Sequence, residues 1–202
     1  MQGDKTEFIS YLSMANAHFI IPVYQRHYAW KIENCKQLYD DILILIKNTN
    51  LQHHHFFGSL VSHIDHRGVK VYSYLIDGQQ RLTTVSLLLL ALYKLNEEGE
   101  ITFLDNSLIR RLYDTCLFDP YNNRPKLSPI ETDRAAFVSL FENSSDLFKT
   151  SNFVINYNYF KEQLKKDITQ NKFTADEFFN HGICRLDVIS IREPLKTLSN
   201  CI

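Results

Sequence analysis

Apolar residues recur at two different periods along this chain, and the switches between them mark out its elements. Ile9, Leu12 and Ala15 fall at helical spacing, which predicts a short helix over Thr6 to Ala15. His18 to Pro22 reads as extended, because a proline steers the residue before it away from the helical region. Leu38, Ile42, Leu45 and Ile46 line one side of a second helix from Glu33 to Asn48. Phe56 to Ile64 and Val69 to Ile76 are β-rich runs, and Asp65-His66-Arg67-Gly68 between them signals a hairpin. A strongly apolar helix follows from about Gln80 to Leu95, and the polar stretch Asn96 to Glu100 ends it.

Beyond residue 100 the pattern is mostly helical. Ser128-Pro129-Ile130-Glu131 has the order of an N-cap, a first-turn proline and a first-turn acid, so it predicts a helix start. Thr174-Ala175-Asp176-Glu177 repeats the capping-box logic, with an amphipathic helix from Phe153 to Thr169 before it. Leu186 to Ile191 alternates and predicts a late strand. The fold class is therefore α+β: an N-terminal unit with a small sheet over residues 1–100, then a helical extension over residues 101–202 that ends in a strand. Ser199-Asn200-Cys201-Ile202 follows that strand with no polar tail, as in a longer protein interrupted.

Composition narrows the class. With 202 residues, 45% hydrophobic and 22% charged, the chain can bury a substantial core and is not disordered. Its 14 Phe and 11 Tyr fit an aromatic core better than a base-stacking surface. A net charge of -1 gives no support for a strong nucleic-acid binder, although a local basic groove is compatible with it. Cys35, Cys116, Cys184 and Cys201 form no C-x-x-C pair and read as reduced, mostly buried thiols. The polar first residues contain no secretory signal, and Val85 to Tyr93 is too short to cross a bilayer. A cytoplasmic protein without a membrane partner is expected.

The chemistry concentrates in two clusters. In Ile76-Asp77-Gly78-Gln79-Gln80-Arg81-Leu82-Thr83-Thr84 a strand meets a glycine turn and then a helix. Such a helix start offers backbone N–H groups and a positive dipole end to phosphate. Gly78 permits a sharp turn or a close approach, and Arg81 can grip a phosphate in a fork. Gln79, Gln80, Thr83 and Thr84 add neutral donors, and Asp77 is a candidate for a metal ion or a hydroxyl. The same residues would also make an ordinary strand-turn-helix corner, with Asp77 or a threonine as a cap.

The second cluster, Ile21-Pro22-Val23-Tyr24-Gln25-Arg26-His27-Tyr28-Ala29-Trp30, gathers flat faces and polar recognition groups. Tyr28 and Trp30 also suit the core, while Tyr24, Gln25 and Arg26 suit a ligand. His53, His54 and His55 are adjacent, so on a strand they cannot all face one ion. The chain shows no Walker A loop, G-x-S-x-G, H-E-x-x-H or G-x-G-x-x-G, and no visible nuclease site.

Together the two clusters resemble one family, the N-terminal domain of GmrSD-type restriction endonucleases. Ile21, Pro22, Tyr24, Gln25, Arg26, Tyr28 and Trp30 match its I-P-x-Y-Q-R-x-Y-x-W motif, and Ile76 through Thr84 match I-D-G-Q-Q-R-L-T-T without a gap. Phe57, Gly58, Ser59, Leu60 and Val61 resemble the strand between them, with slack at the first position. Ile155 to Phe160 resembles a later helix, with Asn156 where the family usually has Ala. The family usually continues into F-x-x-x-N and later L-T-x-x-D motifs just beyond the late strand, and this sequence stops before them.

This resemblance implies a fold similar to the ParB/sulfiredoxin-like core, followed by a mostly helical region. It implies binding, and hydrolysis, of a nucleoside triphosphate (GTP or UTP foremost) with Mg2+, which regulates DNA cleavage by a separate nuclease domain or subunit in defence against phage. Asp77 and Arg81 become the catalytic candidates and Asp77 the metal candidate. Tyr24, Gln25, Arg26, Gly78, Gln79, Gln80, Arg81, Thr83 and Thr84 become the nucleotide contacts. Modified DNA is the expected partner of the complete system, and self-association stays open. Two other readings compete: a DNA-binding module that senses modified DNA without hydrolysing nucleotide, and an interaction domain that keeps the motifs only as structure.

Overall fold

A computed structural model describes residues 3–50 and 52–194. Cys201 and the expected interruption after Ser199 lie outside the described residues. The chain opens with strand β1 (Asp4–Glu7), helix α1 (Phe8–Leu12), strand β2 (Ala17–Ile20) and helix α2 (Ile32–Lys47). The hairpin β3 (His55–Arg67) and β4 (Lys70–Asp77) leads straight into α3 (Gln79–Glu97). Then come α4 (Asn106–Leu112), the short strands β5 (Phe118–Asp119), β6 (Arg124–Pro125) and β7 (Leu127–Ser128), and helices α5 (Glu131–Phe141) and α6 (Asn152–Thr169). One turn of helix, α7 (Ala175–Glu177), precedes the last strand, β8 (Leu186–Pro194).

Six strands form one mixed sheet in the order β1-β8-β3-β4-β2-β7. β1 with β8 and β3 with β4 are antiparallel, and the remaining pairs are parallel. β7 and β8 come from beyond residue 100, so the sheet expected of the N-terminal part draws strands from both parts of the chain. β8 is an interior strand, between β1 and β3.

α3 is the structural axis. Leu82 to Leu92 is buried without a break, and Leu87, Leu88, Leu89 and Leu90 are fully buried. A helix that is apolar all round has to be enclosed on every side, and α6 packs along this one. Each fully buried leucine stabilises the fold by about 1.5–3 kcal/mol relative to exposure.

Three local expectations are revised. The helix expected over Thr6 to Ala15 is only Phe8–Leu12, because Asp4–Glu7 is taken into the sheet, with Thr6 opposite Val188. The hairpin closes in two residues rather than four. Gly68 takes φ 63°, so pairing continues to Arg67 opposite Lys70. The helix expected from Ser128 starts at Glu131, with Ile130 as an N-cap that makes no side-chain bond. Ser128 belongs instead to β7: its carbonyl accepts from Ile21 N, and its hydroxyl bonds His18 Nε2 at 2.9 Å. The box at Thr174 forms as expected, with both reciprocal bonds to Glu177. Cys35 and Cys116 are buried free thiols and Cys184 is half-buried; burial pushes Cys35 and Cys184 up to about 12.

His18 ties stability to pH. It is 5% exposed, and burial, then the nearby Arg124 charge, lowers its pKa from 6.5 to about 4. The folded protein therefore holds His18 neutral while the unfolded chain protonates it first. Its contribution is complete above pH 6.5 and is lost as pH falls towards 4. Urea unfolding at pH 7 and pH 4.5 is expected to show wild type losing roughly 2 kcal/mol more than His18→Gln over that interval. Equal losses in the two proteins would refute this role.

Candidate functional site

The site begins with a close approach. Gly78, the N-cap of α3, takes φ 87°. A Cβ there would stand 2.3 Å from Leu60 Cδ2 and 2.8 Å from the Ser59 carbonyl oxygen. Only glycine both accepts that dihedral and lets the turn lie on β3. On β3 itself, at the residue before Ser59, a second close approach occurs at Gly58, whose φ is 105° and whose Cβ would meet Arg81 Nε at 2.8 Å. The register of β3 against β8 shifts between Phe56 and Ser59. This irregular backbone makes the bed on which the Arg81 side chain lies, with Nη1 donating to the Ser59 carbonyl at 3.3 Å.

Both sequence clusters meet here. Gln25, Arg26 and Trp30 from the loop after β2 face Asp77, Gly78, Gln79, Gln80 and Arg81 across a cleft of about 450 Å³. That volume falls in the range of small-molecule sites. The start of α3 carries no side-chain cap, so its first-turn N–H groups and positive dipole end open on the cleft. Arg81 gives its hydrogen bond among the described residues to a carbonyl, which leaves its charge available to an anion. Arg26 is exposed at the rim, and Asp77 is exposed where β4 ends.

The glutamines hold the loop after β2 against α3 and β4. Gln80 is spent on the loop: its Oε1 accepts from Ala29 N at 2.8 Å and Trp30 N at 3.2 Å, and its Nε2 donates to the His27 carbonyl at 3.0 Å. Gln25 donates to the Ile76 carbonyl at 2.9 Å and accepts from Gln79 Nε2 at 3.1 Å. Because the Ile76 carbonyl can only accept, the direction of this amide chain is fixed, and it ends on Gln79 Oε1, which is buried without a partner.

Some expected contacts fall elsewhere. Thr83 and Thr84 are buried on the core side of α3 and do not line the cleft. Thr84 Oγ1 bonds Tyr28 Oη at 2.7 Å and donates back to the Gln80 carbonyl, a use that helical periodicity dictates one turn into α3. Tyr24 is 72% exposed and also stands outside the lining. Tyr28 is a core anchor, whereas Trp30 both packs edge-on against Phe57 and lines the cleft. Burial raises the Tyr28 phenol well above its ordinary value, so it serves as a neutral hydrogen-bonding group.

Two holding residues lie outside both motifs. Asp133, on α5, accepts from Tyr28 N at 2.9 Å and pairs with His27 Nδ1 at 3.0 Å. Asn156, on α6, donates to the Trp30 carbonyl at 2.8 Å and to Tyr28 Oη at 3.0 Å. The departure from Ala at Asn156 was the only signal in the sequence for either. The histidines are dispersed: His54 meets Asp187 and His55 meets Asp41. Among the described residues no group of three or more metal-ligating side chains forms. A single carboxylate such as Asp77 still suits Mg2+, which commonly binds through one or two carboxylates plus phosphate oxygens and water.

The family model described as GmrSD restriction endonuclease, N-terminal domain, matches residues 8–197. No curated protein matches the chain. No helix among the described residues is long and apolar enough to cross a membrane.

Two substitutions test the scaffold. Gly78→Ala is expected to destabilise the fold by at least about 2 kcal/mol, since both the dihedral and the contact with β3 oppose a Cβ. Asn156→Ala is expected to cost about 1–2 kcal/mol and to change the emission of Trp30, the only tryptophan and a residue of the held loop. Urea unfolding and fluorescence read the two effects, and an Asn156→Ala protein with unaltered stability and emission would remove Asn156 from the holding network.

Proposed function

The chain belongs to the family of N-terminal domains of GmrSD restriction endonucleases, which ties it to a restriction system, and from that premise we propose that it binds and hydrolyses a nucleoside triphosphate to regulate DNA cleavage. The observation that carries this reading is the convergence of both motifs on one cleft, with Arg26, Arg81 and the uncapped start of α3 on the same opening. Anionic phosphate is the ligand such an arrangement stabilises.

In this reading the phosphates lie at the first turn of α3. Arg81, steadied by Gly58 and the Ser59 carbonyl, forks onto their oxygens, and Arg26 approaches from the opposite wall. Gln79 contributes its backbone N–H at the first turn of α3. Tyr24, next to Gln25, folds over the bound ligand. Asp77 holds Mg2+ or orients the attacking water, and the ion, when bound, would shield the phosphate charge as it develops. Gln80, Thr84, Asp133 and Asn156 keep the two walls in register. Cutting of modified, phage-type DNA is assigned to a nuclease domain or subunit outside these residues, to which nucleotide turnover is coupled.

Calorimetric titration with GTP, UTP, CTP and ATP in the presence of Mg2+ tests the proposal. Wild type is expected to bind at least one of them, with GTP and UTP foremost. Arg81→Ala is expected to weaken binding about tenfold or more, the equivalent of one charge-assisted bond. Phosphate release should depend on Mg2+ and fall on Asp77→Asn in a protein that still binds nucleotide. Folded wild type that binds none of the four, alone or with its nuclease partner, would refute the reading.

A further inference from the structure

The cleft at the start of α3 is polar on almost every side. Among the described residues that line it, Trp30 alone is aromatic, and the others are glutamines, arginines, an aspartate and a glycine. Trp30 is half-buried. Its N–H donates to Gln80 Oε1 at 3.2 Å, and its carbonyl accepts from Asn156 Nδ2 at 2.8 Å. Both backbone polar groups are thus engaged within the protein, so what Trp30 has to offer the cleft is its indole.

One strand supports both this indole and the arginine beside it. β3 pairs with β8 through Phe56 at Asp187 and Ser59 at Ile189, which leaves Phe57 and Gly58 together opposite Val188. Two residues against one is a β-bulge, a device that bends a strand and re-aims its side chains. Here Phe57 meets the Trp30 ring edge-on, with centroids 6.4 Å apart and planes at 81°. Gly58 lies under the Arg81 guanidinium, whose Cζ would stand 2.9 Å from a Cβ there. Indole and guanidinium therefore stand over consecutive residues, whose Cα atoms are about 3.8 Å apart. Phe57 packs in turn on the buried Phe8, at 5.8 Å between centroids. Whichever ring supplies the edge, Phe57 covers at most one face of the indole. Held through its N–H, its carbonyl and its ring, Trp30 is ordered before a ligand arrives, which lowers the cost of stacking on it.

We propose that Trp30 is the base-stacking platform of the cleft: a ligand whose anionic end is held by Arg81 lays a planar heteroaromatic ring against the indole. This rests on the nucleotide reading of the cleft and adds that the base is held by its face. The ligand class is then nucleoside phosphates, as opposed to inorganic polyphosphate or a phosphorylated sugar. Stacking uses a π-face that every base has, so the contact adds affinity for each nucleotide without choosing among them.

Trp30 is the only tryptophan, so its emission reports directly on what touches it. The test compares GTP, UTP, CTP and ATP with inorganic tripolyphosphate, all with Mg2+, by fluorescence and calorimetry. Nucleotides that bind are expected to quench Trp30 saturably, while tripolyphosphate binds without a comparable quench. Trp30→Leu keeps an apolar side chain against Phe57 and removes the flat face. It should raise the Kd of the nucleotides about tenfold or more and leave that of tripolyphosphate unchanged. Trp30→Phe, which retains a flat face, should recover most of the lost affinity, and Arg81→Ala should weaken both ligand classes. The platform is overturned, with the phosphate site left standing, if nucleotide and tripolyphosphate bind wild type equally and nucleotide affinity survives Trp30→Leu. Nucleotide binding that leaves the wild-type emission unchanged overturns it as well, whatever the variants do. Folded wild type that binds neither ligand class, alone or with its nuclease partner, overturns the nucleotide reading itself and the platform with it.

Discussion

The structure depends on the contact between Gly78 and β3. With Leu60 and the Ser59 carbonyl where a side chain would otherwise stand, the start of α3 is pressed onto the strand beside it. That contact fixes where the longest apolar helix enters the core. It also decides that the helix opens towards the cleft without a cap, and that Arg81, one turn along, comes down on Gly58. A larger residue at either glycine would move the helix start or lift the arginine. The backbone here is irregular by positive φ at both glycines, a conformation retained where surrounding packing over-determines it.

The second wall of the cleft is held by a different device. The segment after β2 lacks regular secondary structure, and its backbone groups are satisfied by side chains from three helices: Gln80 on α3, Asp133 on α5 and Asn156 on α6. A loop so secured presents Gln25 and Arg26 at a fixed distance from α3, which reduces the ordering cost of binding. The adjacent Gln79 and Gln80 therefore have different roles. Gln79 ties the loop through Gln25 while its own Oε1 is buried without a partner, and Gln80 braces the loop directly.

The sheet connects two cavities of opposite character. At the carboxyl end of β4 the lining is polar and cationic around an open helix start. At the amino ends of β2 and β4 it is aromatic and apolar, closed over by a small hairpin and a single lysine–asparagine bond. Both cavities are built on β4, which is paired on both sides and buried at Ser73 and Leu75.

Much of this was legible in residue order, because the physics involved is local. Periodicity located α2, α3 and α6 and both arms of the hairpin, and Thr174 with Glu177 formed its reciprocal cap. The unbroken run from Ile76 to Thr84 and the Pro22 to Trp30 cluster contain the residues that line the cleft. Long-range pairing was not legible. Thr6 reads as helical until β8 offers it a partner, Ser128 reads as a cap until Ile20 and His18 claim it, and β8 reads as a late addition although it is paired on both sides inside the sheet. Thr83 and Thr84 look like phosphate donors in the motif, yet the 3.6-residue turn of α3 carries them to the core side. The sequence by itself determined which segments are helix or strand and which turn could meet an anion, since those follow from neighbours along the chain. Only the tertiary structure decided which motif residues brace and which present, because that depends on partners such as Asp133 and Asn156, brought in by strand pairing and helix packing from more than a hundred residues away.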